Sequence, residues 1–247
     1  MKVVVVGSSG LVGRGLVERL TAAGYEVVAA SRSSGVDAVT GEGVAAALVG
    51  AHTVVDATNA PTHDPAEMLR FFTTATTNLL AAERTAGVRH HVLVSVVGAD
   101  GLPDNGHLTA KAAAEQLVRE SGVPFTILRA TQFYEFLTTI ADSCTAGDTV
   151  TLPDAQLQPV AVADVQAALA RIATGEPANR ILDMAGPDRR PLAEFVIEAL
   201  AAQNASRTVV TSDDARFFGA KVAAESLVPA GTADITGPTR FESWLTR

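Results

Sequence analysis

An apolar run from Val3 to Val6 is followed at once by Gly7-Ser8-Ser9-Gly10-Leu11-Val12-Gly13, and then by a segment that is apolar on one side, at Val12, Leu16 and Leu20. Glycines spaced Gly-x-x-Gly-x-x-Gly between a strand and a helix have separate tasks. The first permits a tight turn, the second lets backbone approach a diphosphate, and the third lets helix and strand pack closely. The helix mouth then faces negative charge with its free N–H groups and its dipole. This order commits the amino terminus to a βαβ unit and predicts a dinucleotide on Gly7, Ser8, Ser9, Gly10, Leu11, Val12 and Gly13.

The rest of the chain keeps the alternation. Strands are expected at Lys2–Val6, Glu26–Ala30, Val36–Val39, Thr53–Asp56, His91–Ser95 and Phe125–Leu128, separated by helices at Leu11–Ala23, Gly43–Val49, Glu67–Thr85 and Leu108–Glu120. Short, wholly apolar strands between one-sided helices describe an α/β, Rossmann-type, doubly wound parallel sheet covered on both faces. Beyond Arg129 the pieces shorten: helices at Phe133–Ala141, Asp164–Ile172 and Leu192–Ala202, and strands at Thr149–Leu152 and Ile181–Ala185. No linker or repeat divides the chain. We therefore expect one domain over residues 1–247, with a cofactor core to about residue 130 and a mostly substrate-side cap after it.

Composition narrows the function. A net charge of −8 and the lack of any basic run oppose nucleic-acid binding, which needs clustered Lys and Arg. The single cysteine, Cys144, can form neither an internal disulfide nor a thiolate metal site, so a reducing, cytoplasmic setting and no metal are expected. No apolar stretch reaches the ~20 residues of a membrane span. His90 and His91 are adjacent on a strand and point to opposite faces, which opposes metal ligation.

At the end of the second strand, NAD sites usually place a carboxylate for the ribose 2′-hydroxyl. Here the chain reads Ser31-Arg32-Ser33-Ser34, hydroxyls and a guanidinium suited to a 2′-phosphate. NADP(H) is the expected preference, with NAD(H) as the alternative. Asp37 stands where its carboxylate either accepts from the adenine amino group or serves as an exposed loop residue.

Several segments together resemble the atypical short-chain dehydrogenases, in particular their NmrA-like, quinone-reductase-like and triphenylmethane-reductase-like branch. They are Gly7 to Gly13, Ser31-Arg32, Asp37, Thr58-Asn59-Ala60-Pro61, Asn78 to Ala82 running to Gly87-Val88, and the strand ending at Ser95. Lys111 with Glu115, Thr126 to Phe133, Gln158 to Val165 and Gly237 to Phe241 complete the set. The resemblance implies a Rossmann core, a small carboxyl-terminal substrate region and a bound dinucleotide, to which Thr58, Asn59, Ala60, Ser95 and Lys111 would add contacts. It also implies a substrate near Gln132, Phe133, Tyr134 and Phe136.

Reducing members of the wider superfamily carry Tyr-x-x-x-Lys, whereas this chain has His107-Leu108-Thr109-Ala110-Lys111. The lysine is retained and the phenol is missing. Only Lys2, Lys111 and Lys221 are lysines among nineteen basic residues, so Lys111 is read as a ribose-binding ammonium rather than a surface partner of Glu115. His107 either replaces the phenol as a proton donor, since imidazole titrates near neutrality, or is a solvated loop residue. Loss of the strong acid suits hydride transfer to an acceptor that delocalises its own charge, a quinone or polycyclic aromatic. The resemblance places Phe133, Tyr134 and Phe136 at the substrate, and Tyr134, Phe217 and Phe218 are candidate walls for a flat ligand, with core packing the competing and, for any single ring, the preferred reading.

The Ala-, Val- and Arg-rich composition is that of a GC-rich bacterial gene, which extends the reading to polyketide tailoring, by reduction or by reduction-coupled hydroxylation beside a partner enzyme. The competing expectation is a non-catalytic NAD(P)-binding sensor of the NmrA type. Monomer and homodimer are both compatible with the sequence.

Overall fold

A computed structural model describes residues 1–246. In chain order its elements are β1 (Lys2–Val6), α1 (Leu11–Ala22), β2 (Glu26–Ala30), α2 (Val44–Ala47), β3 (Thr53–Asp56), α3 (Pro65–Ala86) and β4 (His90–Val96). There follow α4 (Gly106–Glu120), β5 (Phe125–Ala130), α5 (Leu137–Ser143), β6 (Thr145–Ala146), β7 (Thr149–Leu152), β8 (Gln156–Leu157) and α6 (Val162–Thr174). The last are β9 (Arg180–Ala185), β10 (Arg190–Pro191), α7 (Leu192–Ala202), β11 (Thr208–Thr211), β12 (Ile235–Thr236) and α8 (Phe241–Leu245). No helix among the described residues is long and apolar enough to cross a membrane.

The central sheet has seven parallel strands in the order β12-β9-β5-β4-β3-β1-β2. It is the Rossmann-type sheet that the sequence predicts. Val3, Val5, Val55, Val92 and Leu128 face α1 and α6, where they meet Leu16, Leu20, Val165 and Leu169. Val4 and Val54 face α3 at Ala75 and Leu79, and Leu93 and Ile127 meet Phe72, Ala110 and Ala114 of α3 and α4. Burial on both faces explains why these strands are continuous apolar runs rather than alternating ones. The chain leaves β1 toward β2 and returns to the other side of β1 as β3. A crevice therefore opens between the carboxyl ends of β1 and β3, where open α/β sheets bind ligands.

The expected strand at Val36–Val39 does not form. Ser31 to Gly35 instead make a 3-10 turn in which Ser34 Oγ receives the Ser31 N–H (2.9 Å) and donates to Ala29 O (3.0 Å). Asp37 Oδ1 then accepts from Val39 N (2.8 Å) and Thr40 N (3.3 Å), while Asn78 Nδ2 donates to Ala38 O and Val39 O. Side chains thus take over the hydrogen bonds a strand partner would supply. Three apolar residues between turn formers were too little to hold a strand.

The chain beyond residue 130 divides between two places. α6 returns to pack on α1, and β9 and β12 extend the central sheet. Asp164 on α6 fixes the late segment, accepting from Thr239 N and Thr239 Oγ1 (both 2.9 Å). The rest forms a second core in which Leu137, Ile140, Leu152, Phe195, Leu200 and Phe241 are buried. β6, β7 and β11 make a small three-stranded sheet there, and β8 pairs with β10.

Candidate active site

Each motif glycine meets a different demand. Gly7 has φ +81° and lies so close to the loop after β3 that a Cβ would stand 2.5 Å from Ala57 O. Gly13 packs the first turn of α1 on the glycine loop, and a Cβ there would be 2.3 Å from Gly7 O. Gly10 has an ordinary φ of −79°, and a Cβ would meet only Gly7 O, at 3.3 Å. The space over Gly10 is a cradle that any side chain would begin to fill, as close approach of a diphosphate requires. Gly7 N–H and Ser8 N–H are spent on Ala30 O, and Gly10 N–H on Gly7 O. Ser9 and Leu11 are exposed beside the cradle, and Val12 is half-buried. Arg14, which the sequence reading passed over, donates to Ser9 O (3.3 Å) and brings a cation to the same rim.

The second rim is the turn after β2. Ser31 and Ser33 share a hydroxyl contact (2.8 Å), Ser31 is buried, and Arg32 projects into solvent. One oxygen of Asp37 is occupied in closing its own loop.

The third wall comes from β3, β4 and α4. Asp56 ends the fully buried β3, and its Oδ1 accepts from Thr58 N (2.9 Å), fixing the loop that carries Asn59 and Ala60. Among the described residues, Asp56 Oδ2, Thr58 Oγ1 and Gln132 Oε1 are buried without a partner, as are Thr76 Oγ1 on α3 and the second ring nitrogens of His90 and His91 at the start of β4. Because buried polar atoms are nearly always paired, the three orphans gathered at the carboxyl ends of β3 and β5 are candidate contacts for a polar ligand. A carboxylate closing an otherwise apolar strand was the available signal for Asp56.

Lys111 is 5% exposed, which excludes the surface lysine paired with Glu115. Its ammonium donates to Val94 O (3.0 Å) and Thr58 O (3.4 Å) and lies 4.2 Å from the centre of the Phe72 ring. Burial lowers its pKa to about 8, against the opposing pull of Asp56 and Glu115. Glu115 is engaged elsewhere. It accepts from Ser95 Oγ (2.5 Å) and from Arg129 Nε (2.8 Å) and Nη2 (2.6 Å), and Arg129 continues to Asp100. The hydroxyl proton of Ser95 is therefore committed to a carboxylate, leaving its lone pairs for a ligand. A polar cavity of about 740 Å³ that includes Gly98, Asp100, Arg129, Asp183, Arg189 and Glu225 in its lining opens beside this network.

His107 lies in the first turn of α4, not in a loop, with its ring edge-to-face on Phe72 at 5.7 Å. Burial, reinforced by the Lys111 ammonium and by His63, lowers its pKa to about 4. The expected imidazolium donor near neutrality is thus corrected: at pH 7 this ring is neutral and offers at most one N–H.

The structure decides for core packing at Tyr134. It is 1% exposed, donates to Thr239 O (3.0 Å) and packs on Phe241 and Trp244, so it docks the terminal helix and walls no ligand. Phe133 stacks on the exposed Phe136 (5.6 Å, 21°) just after Gln132 near the end of β5, and is itself half-buried against the core that holds Val160. His90 and His91 serve the core: His90 Nε2 pairs with Thr126 Oγ1 (2.9 Å) and His91 Nδ1 with Glu83 (2.8 Å).

The comparisons agree with this geometry. Residues 7–176 match the model of a family described as NAD(P)H-binding. A curated relative from Streptomyces griseus subsp. griseus, a (4-alkanoyl-5-oxo-2,5-dihydrofuran-3-yl)methyl phosphate reductase, is 35% identical over 140 residues, 53% of this chain and 48% of its own. The chain thus spans about half the length of that relative. Among solved structures, MoeE5 in complex with UDP-glucuronic acid and NAD aligns over 100% of this chain and 97% of its own, with TM-score 0.76 and 21% identity. An NADPH-dependent quinone oxidoreductase from Escherichia coli aligns over 86% and 78%, with TM-score 0.63 and 18% identity. At those identities the structures speak for the fold. With the glycine cradle, the orphaned polar atoms and the family match in agreement, the chain belongs to the NAD(P)H-binding family.

Proposed function

We infer that this protein is an NADPH-dependent oxidoreductase that delivers hydride to a quinone or polycyclic aromatic acceptor. The observation that carries the reading is Lys111: an ammonium kept buried beside Thr58 and Val94, one helical turn from a neutral His107 that stands where a phenol would donate. The nicotinamide, when bound, supplies the hydride. Lys111 holds the ribose hydroxyls, Thr58 and Gln132 offer their free oxygens, and Ser95 accepts through its lone pairs. Asn59 and Ala60 border the same loop, and Gly7 to Gly13 seat the diphosphate. A neutral His107 gives one hydrogen bond and no charge. That is modest assistance, enough for an acceptor that spreads negative charge over a conjugated ring and poor for a simple ketone. Reductase activity in the Streptomyces relative supports an enzyme; the missing phenol is what favours the alternative of a nucleotide-binding sensor.

NADPH absorbance followed with a panel of naphthoquinones and anthraquinones separates the two. Acceptor-dependent oxidation is expected. Measurable NADPH binding with no oxidation by any acceptor points to the sensor.

The cofactor preference rests on Arg32, exposed beside the paired hydroxyls of Ser31 and Ser33. Removing a charge-assisted contact to a 2′-phosphate costs about 1.5–3 kcal/mol. Arg32→Ala should therefore weaken NADPH binding roughly ten- to a hundredfold and leave NADH within about twofold. Equal losses for the two nucleotides would remove Arg32 from the 2′-phosphate site.

A further inference from the structure

Phe217-Phe218-Gly219-Ala220 closes on itself. Phe217 N–H donates to Ala220 O (2.8 Å), and Ala220 N–H returns to Phe217 O (3.1 Å). Two residues span the turn, and both have positive φ, 47° for Phe218 and 86° for Gly219. Such a backbone favours Asn-Gly or Gly-Gly, and Gly219 conforms. Phe218 does not, because a left-handed L-residue crowds its Cβ against the carbonyl that follows. Nor does its ring gain burial in return, being 48% exposed. A large aromatic is the wrong residue here for folding on both counts.

The turn is also held in one place. Phe217 is 4% exposed in the core shared by Leu102 and Leu108, and its carbonyl accepts from Asn105 Nδ2 (3.5 Å). Asn105 Oδ1 in turn receives Leu108 N–H and caps α4. Phe218 meets Phe217 edge-on, with ring centres 4.9 Å apart at 82°. The turn that carries the exposed ring is thereby tied, through Phe217, to the cap of the helix whose first turn carries His107 and whose second carries Lys111.

We propose that Phe218 is the specificity-determining wall of the acceptor site, a ring on a turn tethered to the start of α4, on which a flat conjugated acceptor stacks. Aromatic pairs gain from offset or edge-on contact, and a ring whose backbone is held by a tight turn and which already packs edge-on against Phe217 loses less freedom when a ligand arrives. The proposal rests on the reading of the acceptor as planar and aromatic. It names the residue that selects such an acceptor, and its backbone strain is the trace of that selection.

The test is Phe218→Asn in the full chain, a change that suits the left-handed backbone and so protects the fold. Menadione is titrated calorimetrically into wild type and variant, each saturated with NADP⁺, with NADPH affinity and thermal midpoint measured in parallel. The expected result is menadione binding weakened at least tenfold, unchanged NADPH affinity and a midpoint equal to or above wild type. Phe218→Tyr should bind menadione within about threefold of wild type. Menadione affinity unchanged in Phe218→Asn overturns the proposal and leaves the proposed function standing. An equal fall in NADPH affinity also overturns it, since the residue would then act on the cofactor side. If wild type binds menadione without turning it over, the variant still decides the role of Phe218, and the quinone panel decides the enzyme reading. If the loaded wild type binds no menadione, the proposal falls, and the enzyme reading is decided separately by NADPH oxidation across the quinone panel.

Discussion

Replacing Gly13 by alanine is expected to lower the thermal midpoint by about 10 °C, whereas Gly10→Ala keeps the fold and loses the nucleotide. At Gly13 the new methyl would stand 2.3 Å from Gly7 O and 2.8 Å from Gly7 C, both backbone, so helix and loop must separate. Overpacking of this kind costs about 3 kcal/mol, and in a chain of this size each kcal/mol moves the midpoint by roughly 2–4 °C. At Gly10 the backbone is already in a common region, and the nearest atom is 3.3 Å away. Alanine at such a cap costs about 1 kcal/mol. Its methyl, however, fills the approach of the diphosphate, and affinity for NADPH should fall about a hundredfold, near 2.7 kcal/mol. Circular-dichroism melting with calorimetric titration checks both. A Gly10→Ala protein that binds NADPH as wild type does would move the diphosphate away from this loop.

Lys111→Met should fold, bind NADPH at least tenfold more weakly, and lose a pH dependence that wild type shows. Methionine keeps an unbranched side chain of similar length facing Phe72 and removes a buried charge whose pKa burial has lowered to about 8. In wild type the ammonium is present below that value and disappears above it, so affinity should decline as pH rises through about 8. The variant should be flat over the same range. The stability contribution has the opposite sign. Between about 8 and the unfolded value of 10.5 the unfolded chain holds the extra proton, so wild-type stability gains from Lys111 as pH rises there. Nucleotide affinities from pH 6.5 to 9.5 decide the matter, and a flat wild-type profile would take the ammonium out of the binding site.

The glycine motif, β1 and the parallel sheet were legible in the sequence because local and global demands coincide there. Val3 to Val6 cannot be anything but a strand buried on both faces, and the three glycines have no purpose other than turn, approach and packing. Lys111 stood out as one of few lysines. The segment Val36–Val39 misled because its apolar content is met by packing beneath a turn, with Asn78 and Asp37 supplying the hydrogen bonds. β8, β10 and β12 have two residues each, too few for any periodicity to register. Tyr134 misled for a different reason: nothing near it in sequence reveals that Thr239, Phe241 and Trp244 return to cover it. The neutral His107 likewise depends on burial against Phe72 and on the charge of Lys111, and neither is written in its own neighbourhood.

The most direct measurement is calorimetric titration of NADPH into the purified wild-type protein, with the titration repeated on Gly10→Ala. One nucleotide should bind per chain in the wild type, and the heat should vanish in the variant while its melting curve persists. Absence of binding to the wild type, or equal binding to both proteins, would contradict a diphosphate seated on the loop from Gly7 to Gly13.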